Sequence, residues 1–216
     1  MKFTRSLIVS AVFVLMALGV AIWLYPRLPT QVPSHWDMAG NVNGYMPRFW
    51  AAAFPALMVA VLALLTWLLP VISPKRFRIG PFANVYVGLM LVIQAFMLVT
   101  GIIMLLAGAG FNVAVPMVAM LGVGTLLVVL GNYMGKLRRN FFIGIRTPWT
   151  IASEATWERT HRLAGPLFVV AGIVVLVTAA LGSAPWIGLV CIGVAALVPV
   201  VYSYLVYRRL EGLLHD

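Results

Sequence analysis

The chain has 216 residues, 63% of them hydrophobic and 9% charged, with a mean hydropathy of +1.04. A soluble domain carries about 25% charged residues, so this composition excludes an ordinary soluble fold and points to one membrane domain, where lipid accepts apolar side chains on the outside. The net charge of +10 would suit nucleic acid, but the cations cluster at the ends of apolar runs, which is the positive-inside pattern; direct nucleic-acid binding is not expected, and a dedicated anionic-lipid or nucleic-acid patch is the alternative.

A helix needs about 20 apolar residues to cross the hydrocarbon core. The first such stretch covers residues 6–25. Lys2 and Arg5 precede it, and Ala17 with Gly19 imitate a signal-peptide cleavage site. The apolar run continues to Leu24, as expected of an uncleaved anchor.

The connection 26–48 holds four prolines and two glycines in 23 residues, Gly40 and Gly44 being the glycines. That content forbids a long helix. The run from Asn41 to Gly44 reads as a turn, with Gly44 free to take positive φ. The segment is expected to be a shaped loop, since proline restraint lowers the entropy of its free state. His35 and Asp37 are its only ionisable groups besides Arg27 and Arg48. Two residues apart on an extended chain, their side chains point the same way. A structural network, recognition of a ligand and a metal remain open, although two ligands fall short of what zinc takes.

The second span is read at 49–72, followed by the cations Lys75, Arg76 and Arg78. The third and fourth spans are read at 84–107 and 114–134. Gln94 and Asn132 are expected to serve as interhelical glue, and the recurrent glycines to allow close helix approach. Pro116 and Pro199 lie inside predicted spans, with Pro199 the stronger kink candidate.

The connection 135–162 is the richest segment. Thr147 precedes Pro148 and is pushed away from helix. Ser153 is a good N-cap, and Glu154 in the first turn suits the helix dipole. A short helix is expected from about Glu154 into the fifth span. Glu154, Trp157, Glu158 and His161 would lie along one side of it, with Glu158 and Arg162 as an i, i+4 pair. Arg146 is the expected partner of Glu154. Glu158 and His161 have the spacing of half a carboxylate-bridged metal site, but no second half exists. The open readings are a salt-bridged lock, a docking surface, and a metal held by Glu154, Glu158 and His161.

The fifth and sixth spans are read at 163–182 and 185–207. The single cysteine, Cys191, sits in the last span and reads as a small hydrophobe. The six spans contain no Asp, Glu, Lys, Arg or His, which weighs against proton-coupled transporters, pumps and intramembrane metalloproteases.

Thirteen of the fifteen Lys and Arg fall on one side of this topology. Both termini are therefore expected in the cytoplasm. Trp23, Tyr25, Tyr45, Trp50 and Trp186 mark the outer boundary, and Trp67, Tyr133, Tyr202 and Tyr207 the inner one. The expected fold is an all-α polytopic membrane protein with six transmembrane helices. Residues 1–72 form the first two spans with the extracytoplasmic loop 26–48, and residues 73–216 the other four with the cytoplasmic loop 135–162.

At the two loops the chain resembles a known family. Asn140, Gly144, Arg146, Thr147, Pro148, Trp149, Ser153, Glu154, Trp157, His161, Arg162 and Gly165 resemble the signature of the SdpI family of bacterial toxin-immunity membrane proteins. The run with Leu28, Pro29, Pro33, His35, Trp36, Asp37, Gly40 and Gly44 is similar to the domain of unknown function that commonly accompanies it. The resemblance implies a multi-pass protein of the bacterial plasma membrane, without cofactor, that gives immunity to a secreted antimicrobial peptide toxin. It further implies signalling through a cytoplasmic transcriptional repressor.

The expected partners are thus membrane lipids, a toxic peptide and a repressor. His35, Trp36, Asp37, Gly40 and Gly44 would meet the ligand. Asn140, Gly144, Arg146, Thr147, Pro148, Trp149, Ser153, Glu154, Trp157, Glu158, His161 and Arg162 would fix the bundle and report its state. The rivals are a membrane enzyme using Glu154, Glu158 and His161, and an uncoupled lipid or peptide transporter.

Overall fold

The computed structural model describes residues 3–37, 39–182 and 185–212; Lys2, counted above among the inner cations, lies outside them. Six of its helices are long and apolar enough to cross a membrane. These are α1 (Phe3–Leu24), α2 (Arg48–Ile72), α3 (Ala83–Gly108), α4 (Val115–Met134), α6 (Glu154–Ala180) and α7 (Pro185–Gly212). A one-turn helix, α5 (Pro148–Ala152), precedes α6. The expected all-α polytopic membrane fold is therefore correct. Side chains such as Leu15, Ile22, Val71 and Leu197 are about two-thirds or more exposed, as an apolar solvent permits.

Two strands lie in the segment read as a proline-rich loop. β1 (Gln31–Trp36) and β2 (Val42–Pro47) pair antiparallel, from Gln31 opposite Pro47 to Trp36 opposite Val42, with an irregular register around His35. The pair has only edge strands, where proline is tolerated; Pro33 and Pro47 are accommodated in this way.

The chain forms two compact units, Met1–Leu68 with Val87–Gly122, and Leu69–Tyr86 with Val123–Asp216. In the first, Val32 of β1 is fully buried among Ala21, Leu24, Leu28, Ala51, Met104 and Leu105, with Trp36 and Met46 packed against the same cluster. Gly108 makes this seat possible, since a Cβ there would stand 2.5 Å from Val32 Cγ1. Deeper in this unit, a Cβ on Gly101 of α3 would meet Pro55 of α2 at 2.6 Å. Gln94 donates from Nε2 to Thr66 Oγ1 of α2 at 3.1 Å, the interhelical bond expected of it. Asn132 instead bonds within its own helix, to the Val128 carbonyl at 2.8 Å.

In the second unit α6 packs along α7. It also crosses α4 at two glycine pairs, Gly131 with Gly165 and Gly124 with Gly172. The fifth span and the helix before it are one helix of 27 residues, which makes Pro166 interior as well as Pro199 of α7. Pro116 falls in the first turn of α4, where proline costs little.

Candidate functional site

The first connection is a hairpin whose two faces differ. Trp36 turns inward onto the helical core, while His35 is exposed and its Nδ1 bonds the Asn43 side-chain oxygen. Asp37 neither pairs with His35 nor points outward as a free ligand. Its carboxylate accepts from the backbone amides of Ala39 and Asn41, at 2.9 and 2.8 Å, and from Asn41 Nδ2 at 3.1 Å. The hydrogen bonds from Asn41 hold its pKa below the ordinary 3.8.

The turn is therefore at residues 37–41, not at 41–44. The positive-φ glycine is Gly40, at 89°, not Gly44. Gly44 serves another purpose, because a Cβ there would sit 2.9 Å from His35 Cβ across the strands. Of the expected trio, His35 is exposed and Trp36 and Asp37 are half-buried; Trp36 lines a cavity of about 200 Å³ with Ser34, Phe54, Thr100 and Met104.

Asp37→Ala is expected to speed amide exchange at Ala39 and Asn41 by removing their acceptor. The wild-type turn should behave likewise in acid. A carboxyl with a lowered folded pKa stabilises above its ordinary value of 3.8 and loses that contribution as pH falls through the lowered value. Unchanged exchange in both conditions would refute the capping role.

The fourth connection is tied together by its own polar side chains. Asn140 is fully buried. It donates to the carbonyls of Arg138 and Ile143, at 2.8 and 3.0 Å, and accepts from the amides of Phe142 and Ile143, both at 2.8 Å. Thr147 caps α5 through a reciprocal box with Thr150, and Pro148 occupies the first helical position, where its missing N–H is harmless. Trp149 donates from Nε1 to Ser203 Oγ of α7, and Thr147 Oγ1 lies 3.2 Å from the same oxygen. Ser153 caps α6, accepting from the Thr156 amide, as its sequence position suggested.

At the centre lie Trp157 and His161, both essentially inaccessible. Their rings stack with centroids 4.0 Å apart. Trp157 Nε1 donates to the Leu137 carbonyl at 2.8 Å. His161 Nδ1 donates to the Trp157 carbonyl at 2.8 Å, and Nε2 accepts from the Ile145 amide at 3.0 Å. Both ring nitrogens are thus engaged, which fixes the neutral tautomer and leaves none for a metal. Gly144 lets the chain approach at φ 112°, a Cβ there lying 2.5 Å from His161 Nε2.

The acidic residues go elsewhere. Glu154 and Glu158 are exposed, whereas Trp157 and His161, each three residues further along the helix, are buried. Glu158 pairs with Arg138 at 3.3 Å, the one salt bridge among the described residues, rather than with Arg162. Arg146 donates to the Phe141 carbonyl instead of meeting Glu154. Arg139 reaches the carbonyls of Ile151 and Ala152 at 3.2 and 3.0 Å. Ser203, Arg138 and Arg139 are thus part of the arrangement without having been singled out in the sequence. The only signal for Ser203 is a serine between two tyrosines near the end of an apolar run.

Residues 136–203 match the SdpI/YfhL protein family. Residues 12–59 match a domain of unknown function, DUF1648. The chain is 27% identical over 207 residues, 95% of its own length and 97% of the relative's, to the immunity protein SdpI of Bacillus subtilis (strain 168). No solved structure matches. Hairpin and stapled connection each fall within one of the two matched segments: the chain is similar to the SdpI/YfhL family over α6, most of α7 and the connection before them, and to DUF1648 over part of its first span, its hairpin and the start of α2.

Proposed function

We propose that the protein is a non-enzymatic immunity protein of the bacterial plasma membrane, with both termini in the cytoplasm, that protects the cell from a secreted toxic peptide. The observation that carries this reading is the likeness to an immunity protein along 95% of the chain, spanning both polar connections. The hairpin, presenting His35, Asn43 and Tyr45 from a rigid seat, is the surface that meets the peptide. The connection 135–162 holds α5, α6 and α7 in one arrangement and passes the state of the bundle to a cytoplasmic repressor.

An enzyme built on Glu154, Glu158 and His161 requires an imidazole free to ligate or exchange a proton. The engagement of both His161 nitrogens by backbone supports the immunity reading over that rival.

Expression in a cell sensitive to such a peptide is expected to raise the dose needed to kill it. His35→Ala and Glu154→Ala should each weaken protection at unchanged abundance in the membrane. Full protection by both variants would remove these residues from the site.

A further inference from the structure

The second unit holds a cleft of about 1080 Å³, lined in part by the connection 135–162, to which the immunity reading assigns no ligand. Its charged lining is Lys136, Arg138, Glu158, Arg159 and Arg162. Glu158 is taken by Arg138. Among the described residues no acid pairs with Lys136, Arg159 or Arg162; Lys136 lies over the Tyr133 ring, at 4.7 Å.

A second cleft of about 470 Å³ shares Pro81 and Arg138 with the first. It adds Lys75, Arg76, Arg78 and Arg139, against Glu154 alone. Eight of the chain's fifteen Lys and Arg thus line two contiguous cavities. Positive-inside bias scatters cations along a membrane face; it does not require them to converge on a concave surface.

Depth and shape point to the anion. The larger cleft is lined by residues 80–85 at the start of α3, 135–138 just past α4, and 155–162 in the first turns of α6. A helix of 27 residues is about 40 Å long, against a hydrocarbon core of about 30 Å. Its charged residues are confined to the first turns, from Glu154 to Arg162, so the surplus length is assigned to that end, at headgroup level. Phe82, Val85 and Leu137 supply an apolar wall beside the cations, and the volume far exceeds that of a bare phosphate. The N-terminal end of α3, which carries the positive end of that helix's dipole, lines the same space.

We propose that the paired clefts hold the headgroup of a two-phosphate anionic phospholipid, one phosphate in each cleft. The clefts share the connection 135–162 with the immunity reading, but lipid binding by the purified chain is read without toxin or repressor, so the two readings fail separately.

The test is native mass spectrometry of the purified full chain with cardiolipin, phosphatidylglycerol or phosphatidylcholine. Cardiolipin should bind more tightly than phosphatidylglycerol, and phosphatidylcholine should be stripped. Arg159→Gln with Arg162→Gln should lower cardiolipin affinity about thirtyfold, since each interfacial cation contributes roughly a factor of five. The corresponding double lysine variant should keep most of it. Arg208→Gln with Arg209→Gln removes the same charge outside both clefts and should change little.

Equal losses in the two glutamine pairs would reduce the effect to general charge bias and overturn the proposal. Displacement of cardiolipin by free pyrophosphate would assign the site to a soluble phosphate and overturn the lipid source. Displacement by polyglutamate at matched charge would overturn phosphate recognition altogether.

Discussion

Gly144→Ala is expected to destabilise the protein by about 3 kcal/mol or more, the sum of a left-handed strain and an overpacked contact. The backbone there has φ 112°, and the new Cβ would lie 2.5 Å from His161 Nε2. A flexible side chain would swing aside. His161 has no such freedom, because Nδ1 is anchored on the Trp157 carbonyl and the ring is stacked on the indole. The added methyl must break the Ile145 amide bond to Nε2, leaving a buried donor unsatisfied. Thermal unfolding of the purified protein reads the loss directly. The double variant Gly144→Ala with His161→Ala should be less destabilised than the separate losses predict, because the clash has no second partner. Strict additivity would mean that the two residues do not meet as described.

Gly131→Val and Gly172→Val should each cost roughly 3 kcal/mol, at the upper end of overpacking penalties. Here the obstacles are main-chain atoms. A Cβ on Gly131 would stand 2.6 Å from the Gly165 carbonyl oxygen, and one on Gly172 2.7 Å from that of Gly124. No rotamer change relieves such contacts, so the two helices must separate along the crossing. Lipid offers no hydrophobic drive to hold them, and the lost dispersion is not replaced. Gly19→Ala on α1 is the control, since nothing lies within 4 Å of its added Cβ. Equal melting of Gly131→Val and Gly19→Ala would show that α4 and α6 are not in close contact.

The spans were legible because hydrocarbon demands long uninterrupted apolar runs, and each of the six runs became one helix. The cap at Ser153 was legible for a similar reason, as it depends only on residues within one turn. The hairpin was not. Its strands contain Pro33 and Pro47 and pair irregularly at His35, so alternation was masked and only an extended loop could be read. The turn was misplaced because Asn43-Gly44 is a strong local signal, yet the Asp37 carboxylate organises the chain four residues earlier.

Partners across the fold were the least legible part. Arg146 and Glu154 were matched on charge alone. In the folded chain, carbonyl groups at Phe141, Ile151 and Ala152 claim the guanidinium groups of Arg146 and Arg139. Ser203, fifty-four residues from Trp149, had no local sign of its acceptor role.

β2 ends at Pro47 and α2 begins at Arg48, with no residue between them. The Arg48 amide donates to the Thr30 carbonyl at 3.0 Å and its Nε to that of Pro29 at 3.2 Å, clamping the two legs of the hairpin at its base. A joint of this kind has no slack. Anything that tugs on the strand tip works as a hand on a lever, and the torque arrives at α2 as a tilt instead of being spent in a floppy hinge.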